Sequence, residues 1–161
     1  MTPPVTPVFD CMMCGHCCSG RGGILLTARD RERLAAHLGL GVDEMLERYA
    51  EDEGRLPGIV TGADGYCVFY AQGTGCTVHP ARPDVCRAWP FFRGNLLDES
   101  AFAMAREDCK GIAEGAEHAE FVRQGLAYLR ANGLLHAGDD APNALKPIPG
   151  VDIREDGGGN G

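Results

Sequence analysis

At 161 residues the chain has the length of one domain, and a hydrophobic content of 44% is that of a folded globular protein rather than a disordered one. Its formal charge of −8 argues against a phosphate-tracking nucleic-acid binder, which needs a basic face, and the arginines are scattered rather than gathered into one. Aromatics are few, at 7%, and 23 glycines point to a loop-rich fold whose core is thin for its length.

In chain order, the decapeptide MTPPVTPVFD is a Pro/Thr-rich arm, residues 1–10, without the basic start or apolar run of a signal peptide. No segment approaches the ~18 apolar residues of a membrane span. The expectation is therefore a cytoplasmic protein with no membrane contact, where stable disulfides are rare. The arm leads into CMMCGHCC, and GGILLT (22–27) follows as a short strand or extended segment. Thr27 is placed to cap a helix over ARDRERLAAHL, with Gly39 as its stop. VDEMLERYA (42–50) reads as a second helix, and EDEGRLPGIVTGADG (51–65) as loop. YCVFY (66–70) and GCTVH (75–79) read as the two strands of a hairpin joined through AQGTG. Pro80, Pro83 and Pro90 leave room only for a helical turn around DVCRAW.

SAFAMA (100–105) alternates like a strand, whereas EHAEFVRQGLAYLRANGL (117–134) keeps a helical period through Phe121, Val122, Leu126 and Leu129 until Gly133. The remainder, 137–161, is rich in Pro, Gly and Asp and reads as a mostly unfolded tail. These elements describe an α+β domain over residues 11–136, small, irregular and metal-stabilised, with short strands and about three helices.

Four of the eight cysteines fall within eight positions: Cys11, Cys14, Cys17 and Cys18 form C-x-x-C-x-x-C-C. A C-x-x-C turn presents two sulfurs to one centre, and a third x-x-C wraps three thiolates around one object. Gly15 supplies the backbone freedom that so tight a path needs. Adjacent side chains do not readily point the same way, so Cys18 either reaches a second centre or packs as a plain thiol. The remote cysteines are Cys67, Cys76, Cys86 and Cys109, and all eight are candidate metal ligands. Cys67 and Cys76 flank the expected hairpin, which would let their side chains approach. His16 is a surface imidazole more readily than a ligand, while His79, near Cys76 and Cys86, has better standing. Arg82, Arg87 and Arg93 are candidates to hydrogen-bond an anionic metal centre, and Trp89 with Phe91 and Phe92 to cover it as an apolar lid.

CMMCGHCC, GILLTARDRERLAAHLG, CVFY, GCTVHPARPDVCRAWPF and Cys109, in this order and spacing, resemble the YkgJ-type cysteine-cluster family. The resemblance includes the Arg-Pro-x-x-Cys element ending at Cys86 and runs from Cys11 to Cys109. It implies a cysteine-ligated metal, an iron–sulfur cluster or zinc, and no particular reaction. No phosphate-binding or dinucleotide glycine motif occurs, and the C-x-x-C lacks the βαβ setting of a thioredoxin site. No catalytic constellation is evident. Two functions stay open: an iron–sulfur protein with a redox or electron-transfer role, or a zinc-stabilised module that binds a protein partner.

Overall fold

The computed structural model describes residues 6–11, 24–52, 56–135, 142–146 and 148. The α+β class holds, with helices beside two small antiparallel sheets of two strands each, gathered around two hydrophobic cores.

The first core is begun by α1 (Ala28–Leu38). The Thr27 hydroxyl accepts the Asp30 N–H, and the Asp30 carboxylate accepts the Thr27 N–H at 2.9 Å, a reciprocal cap that satisfies two otherwise orphaned donors. Gly39 ends the helix in the left-handed region at φ 70°, as expected. α2 (Val42–Tyr49) follows and buries Met45 against Leu34, Leu26 and Phe69.

The stretch expected to be loop from residue 51 instead forms a hairpin of β1 (Ala50–Asp52) and β2 (Pro57–Ile59), with Ala50 opposite Ile59. β2 is bonded on its other edge as well. The Leu26 N–H donates to Pro57 O at 2.9 Å and the Ile59 N–H to Ile24 O at 3.0 Å. Pro57 is tolerated because it opens its strand, and buried Leu56 and Ile59 supply the apolar face that the Pro-Gly pair conceals in the sequence.

The second hairpin exists, but it is shorter than YCVFY and GCTVH suggest. β3 (Tyr70–Ala71) pairs with β4 (Gly75–Cys76), Tyr70 opposite Cys76, and Gly73 and Gly75 take positive φ in and after the turn. Cys67 makes an isolated bridge with Thr61 instead. A 3-10 turn at His79–Ala81 then leads to α3 (Asp84–Ala88), the helical turn expected around DVCRAW.

The other core is helical and exceeds the expectation of about three helices for the chain. α4 (Arg93–Leu97) was not anticipated, and the strand expected at 100–105 is part of α5 (Glu99–Asp108). Asp98 caps α5 by accepting the Ser100 and Ala101 N–H groups at 2.7 and 3.1 Å. Phe102 and Ala105 are buried while Met104 is 66% exposed, a spacing of three rather than two. α6 (His118–Ala131) is the helix read from its period, and Gly133 follows it at φ 61°. Gly125 brings α6 close to its neighbours, since a Cβ there would lie 2.6 Å from Phe91 Cδ1.

His118, the first residue of α6, is half-buried: its ring stacks on Phe102 and its Nε2 lies 2.9 Å from Asn95 O. The tail also needs correction where it is described. Pro142, Leu145 and Ile148 are buried, and Leu145, at 0% exposure, belongs to the helical core, where its turn meets α3 and α4. The rest of 137–161 lies outside the described residues.

Candidate metal centre

Residues 8–11 carry the chain into the cysteine run along a paired path. Phe9 bridges Ile112, the Asp10 N–H donates to Gly111 O at 2.9 Å, and the Ala113 N–H donates to Val8 O at 2.9 Å. Gly111 is required by this approach, because a Cβ there would sit 2.5 Å from Asp10 O. Cys11 emerges exposed from that pairing, and Cys109, buried at the C-cap of α5, lies two residues before Gly111 on the partner segment. Cys86 is half-buried in α3.

Cys11 and Cys86 line one cavity of about 310 Å³ together with Arg82, Arg87 and Trp89. Two thiols remote in sequence thus open onto the same space. Cys67 and Cys76 belong to the other core; Cys67 is bridged to Thr61 and Cys76 stands opposite Tyr70, so the hairpin does not set them opposite each other. Cys14, Cys17, Cys18 and His16 lie outside the described residues. Among the described residues no three His, Cys, Asp or Glu side chains gather as a metal cage.

The auxiliary residues divide. Arg82 and Arg87 line the cavity, whereas Arg93 opens α4 and is not among the described lining residues. Trp89 walls the cavity and meets Phe92 edge-on at 5.2 Å. Phe91 is buried and lines the cavity as well, whereas Phe92 is not among the described lining residues. Burial, then the neighbouring Arg82 charge, lower the His79 pKa below the ordinary 6.5 and favour a neutral ring.

What fixes α3 under this cavity is a pair of buried aspartates that motif reading passed over. Asp30 and Asp84 are both 0% exposed. Asp30 Oδ1 accepts the Asp84 N–H at 2.9 Å, tying the first turn of α1 to the first turn of α3. Arg33 Nη2 reaches Asp84 Oδ1 at 3.0 Å and Asp30 Oδ1 at 3.2 Å, and its Nη1 donates to Arg82 O at 3.0 Å. Arg29 Nε donates to Asp84 Oδ2 at 2.6 Å and its Nη2 to Gly133 O at 2.5 Å, reaching the end of α6. Two buried carboxylates so close are compatible only with such donors. Burial, then the Asp84 charge, raise the Asp30 pKa above 3.8, against the lowering effect of the N–H groups that bond it. The available signal was the Thr-x-x-Asp cap at 27–30. Nothing local marks Asp84.

Residues 10–110 match the family described as "CxxCxxCC: Putative zinc- or iron-chelating domain". The chain is also 30% identical over 84 residues to the uncharacterized protein MJ0661 of Methanocaldococcus jannaschii, a match covering 52% of this chain and 44% of that relative. The chain thus spans less than half the length of this relative. No solved structure matches. No helix among the described residues is long and apolar enough to cross a membrane. With the cysteine run, the Arg-Pro-x-x-Cys helix and Cys109 all inside the matched span, the chain belongs to the CxxCxxCC family so described.

Proposed function

We propose that the chain holds an iron–sulfur cluster through thiolates of Cys11, Cys14, Cys17 and Cys86 and serves in electron transfer, exchanging electrons with a protein partner. The observation that carries this reading is the shared cavity of Cys11 and Cys86. It sets the first cysteine of the run beside a remote fourth, the ligand pattern that C-x-x-C-x-x-C requires.

The donor chemistry fits. Thiolates suit zinc and iron–sulfur centres and are poor hosts for magnesium or calcium. When bound, such a cluster supplies reversible one-electron chemistry. Arg82 and Arg87, which line the same cavity, would offset the negative charge of the thiolates and so tune the centre's potential. Trp89 and Phe91 would exclude water from the inner side, while the exposed position of Cys11 leaves a short route to a partner's surface. Cys18, Cys67, Cys76 and Cys109 then remain for a second centre or for packing.

A zinc reading draws support from the other core. β3 and β4 are two residues long; Cys76 ends β4 and Cys67 precedes β3 in the same core, where a zinc ion would staple strands too short to hold themselves.

Anaerobic purification followed by elemental analysis and an absorption spectrum separates the two. Iron, sulfide and visible thiolate-to-iron absorption are expected. Colourless protein with stoichiometric zinc would overturn the cluster assignment. Cys86→Ser should lose the visible absorption, because serine is a poor substitute toward soft metals. Retention of full iron and sulfide in Cys86→Ser would exclude it as a ligand.

A further inference from the structure

The cavity beside Cys86 holds more than a ligand shell needs. Its far wall comes from α6, through Gln124 and Tyr128, and its sides from Phe9, Trp89 and Phe91. The polar groups of that far wall are already committed. Gln124 Oε1 accepts the Val8 N–H at 2.9 Å, and its Nε2 donates to Thr6 O at 2.9 Å and Glu120 Oε1 at 2.8 Å. The Tyr128 hydroxyl donates to Arg87 O at 2.7 Å. What these side chains turn toward the cavity is therefore mainly hydrocarbon and ring surface.

The arginines are the reverse case. Arg82 spends its Nε on His79 O at 3.1 Å, and among the described residues no acceptor takes its terminal nitrogens. Arg87 meets Asp84 only at 3.8 Å, an ion pair too long for a hydrogen bond. Two guanidinium forks with hydrogen-bonding capacity in hand thus face an apolar space, with Asp10 exposed at its rim. Forked donors of this kind match a carboxylate in bidentate fashion. A volume of about 310 Å³ falls at the small end of ligand pockets, enough for a single-ring molecule.

We propose that this cavity binds a small organic carboxylate, its anionic end on Arg82 and Arg87 and its apolar body between Trp89, Phe91 and Phe9. Its place next to a metal rests on the reading given above. The thiols of Cys11 and Cys86 border the same space, so a molecule seated there would sit against the centre.

The test uses the full chain purified anaerobically, with benzoate as probe and benzyl alcohol as its uncharged counterpart, followed by calorimetry or NMR titration. Metal content is measured on the same samples. Benzoate should saturate, and benzyl alcohol should bind at least about tenfold more weakly, the usual worth of a charged hydrogen bond. Arg82→Gln and Arg87→Gln should each weaken benzoate by a similar factor and leave the affinity for benzyl alcohol unchanged. Arg82→Lys, which keeps the charge and loses the fork, should restore part of the affinity. Absence of saturation at millimolar benzoate, or a benzoate affinity in both glutamine variants equal to that of the unsubstituted chain, overturns the proposal. Equal weakening of benzoate and benzyl alcohol in those variants also overturns it, because the loss would then be of the cavity and not of a carboxylate contact. Metal-loaded protein that ignores benzoate leaves the metal reading standing. Metal-free protein that binds benzoate through the arginines removes the metal reading and keeps the carboxylate site.

Discussion

Replacing Asp30 by alanine tests the lock between α1 and α3 most directly. The change leaves two buried donors, the Thr27 and Asp84 N–H groups, without their carboxylate acceptor. An unsatisfied buried donor costs about 1–3 kcal/mol, and breaking a buried charged cluster typically costs about 3–5 kcal/mol in all. Two effects reduce the loss. Alanine is the better helix former, and the charge removed was itself disfavoured, as the raised Asp30 pKa records. Arg33, 26% exposed, also keeps Asp84 as a partner. The expected net loss is about 3 kcal/mol, a large share of the roughly 5–15 kcal/mol that holds a domain together. For a chain of this length that corresponds to a fall in Tm of roughly 6–12 °C.

Urea and thermal unfolding followed by circular dichroism would measure it, with an unchanged m-value confirming that stability alone has moved. Glu44→Ala is the control. It breaks the exposed Arg48–Glu44 pair at 2.7 Å, where both side chains are about half exposed, and should cost no more than about 0.5 kcal/mol. An Asp30→Ala loss no larger than that of the control would refute the idea that this carboxylate joins the two cores.

The Asp30 carboxyl should titrate above 3.8 by carboxyl ¹³C NMR, and Asp84→Asn should bring its midpoint down, since the Asp84 charge is one cause of the shift. The folded state holds this proton more tightly than the unfolded one. The group's contribution is therefore greatest below pH 3.8 and declines as pH rises through its folded pKa; a midpoint at or below 3.8 would contradict this. Leu145→Ala should cost about 2–5 kcal/mol in urea unfolding, because the side chain is fully buried, and removal of 137–161 should cost at least as much. An unchanged midpoint would mean that the tail does not dock in solution. Gly111→Ala should destabilise by about 1–3 kcal/mol and lower metal content, since the new Cβ collides with the backbone beside Cys11; full retention of metal would show that the arm's pairing does not position Cys11.

Legibility in the sequence followed the range of the interaction. The caps of α1 at Thr27 and Gly39 and the period of α6 are local signals, and both elements stand where their residues indicate. SAFAMA misleads because Phe102 and Met104 alternate like strand residues, and only the burial of Phe102 with Ala105 reveals the helix. Pro57 and Gly58 hide a strand that is held on one edge by β1 and on the other by Ile24–Leu26, remote in sequence. Leu145 and Ile148 show no period at all, and they are buried by joining the helical core, the turn of Leu145 lying against α3 and α4. Cysteine spacing identified the run, but neither the nearness of Cys86 to Cys11 nor the role of Asp84 is a property of any window. Asp30 sits inside RDRER, which reads as a solvated charged face until Asp84 is set against it.

The long-range contacts that spacing leaves invisible share one arrangement. The arm that delivers Cys11 is paired with the Gly111–Ala113 segment of the helical core, whereas Ile24, just beyond the run, is bonded into the β2 layer of the other core. The Asp30–Asp84 contact joins those same two cores, and Cys86 lies two residues beyond Asp84 on α3. The cysteine run is therefore tethered at its two flanks to bodies that one buried electrostatic contact holds in register. On the metal reading, a centre that takes ligands from the run and from α3 closes this arrangement with a second cross-link. Disturbance of the aspartate pair should then reach the centre through the position of Cys86, although neither aspartate lines the cavity.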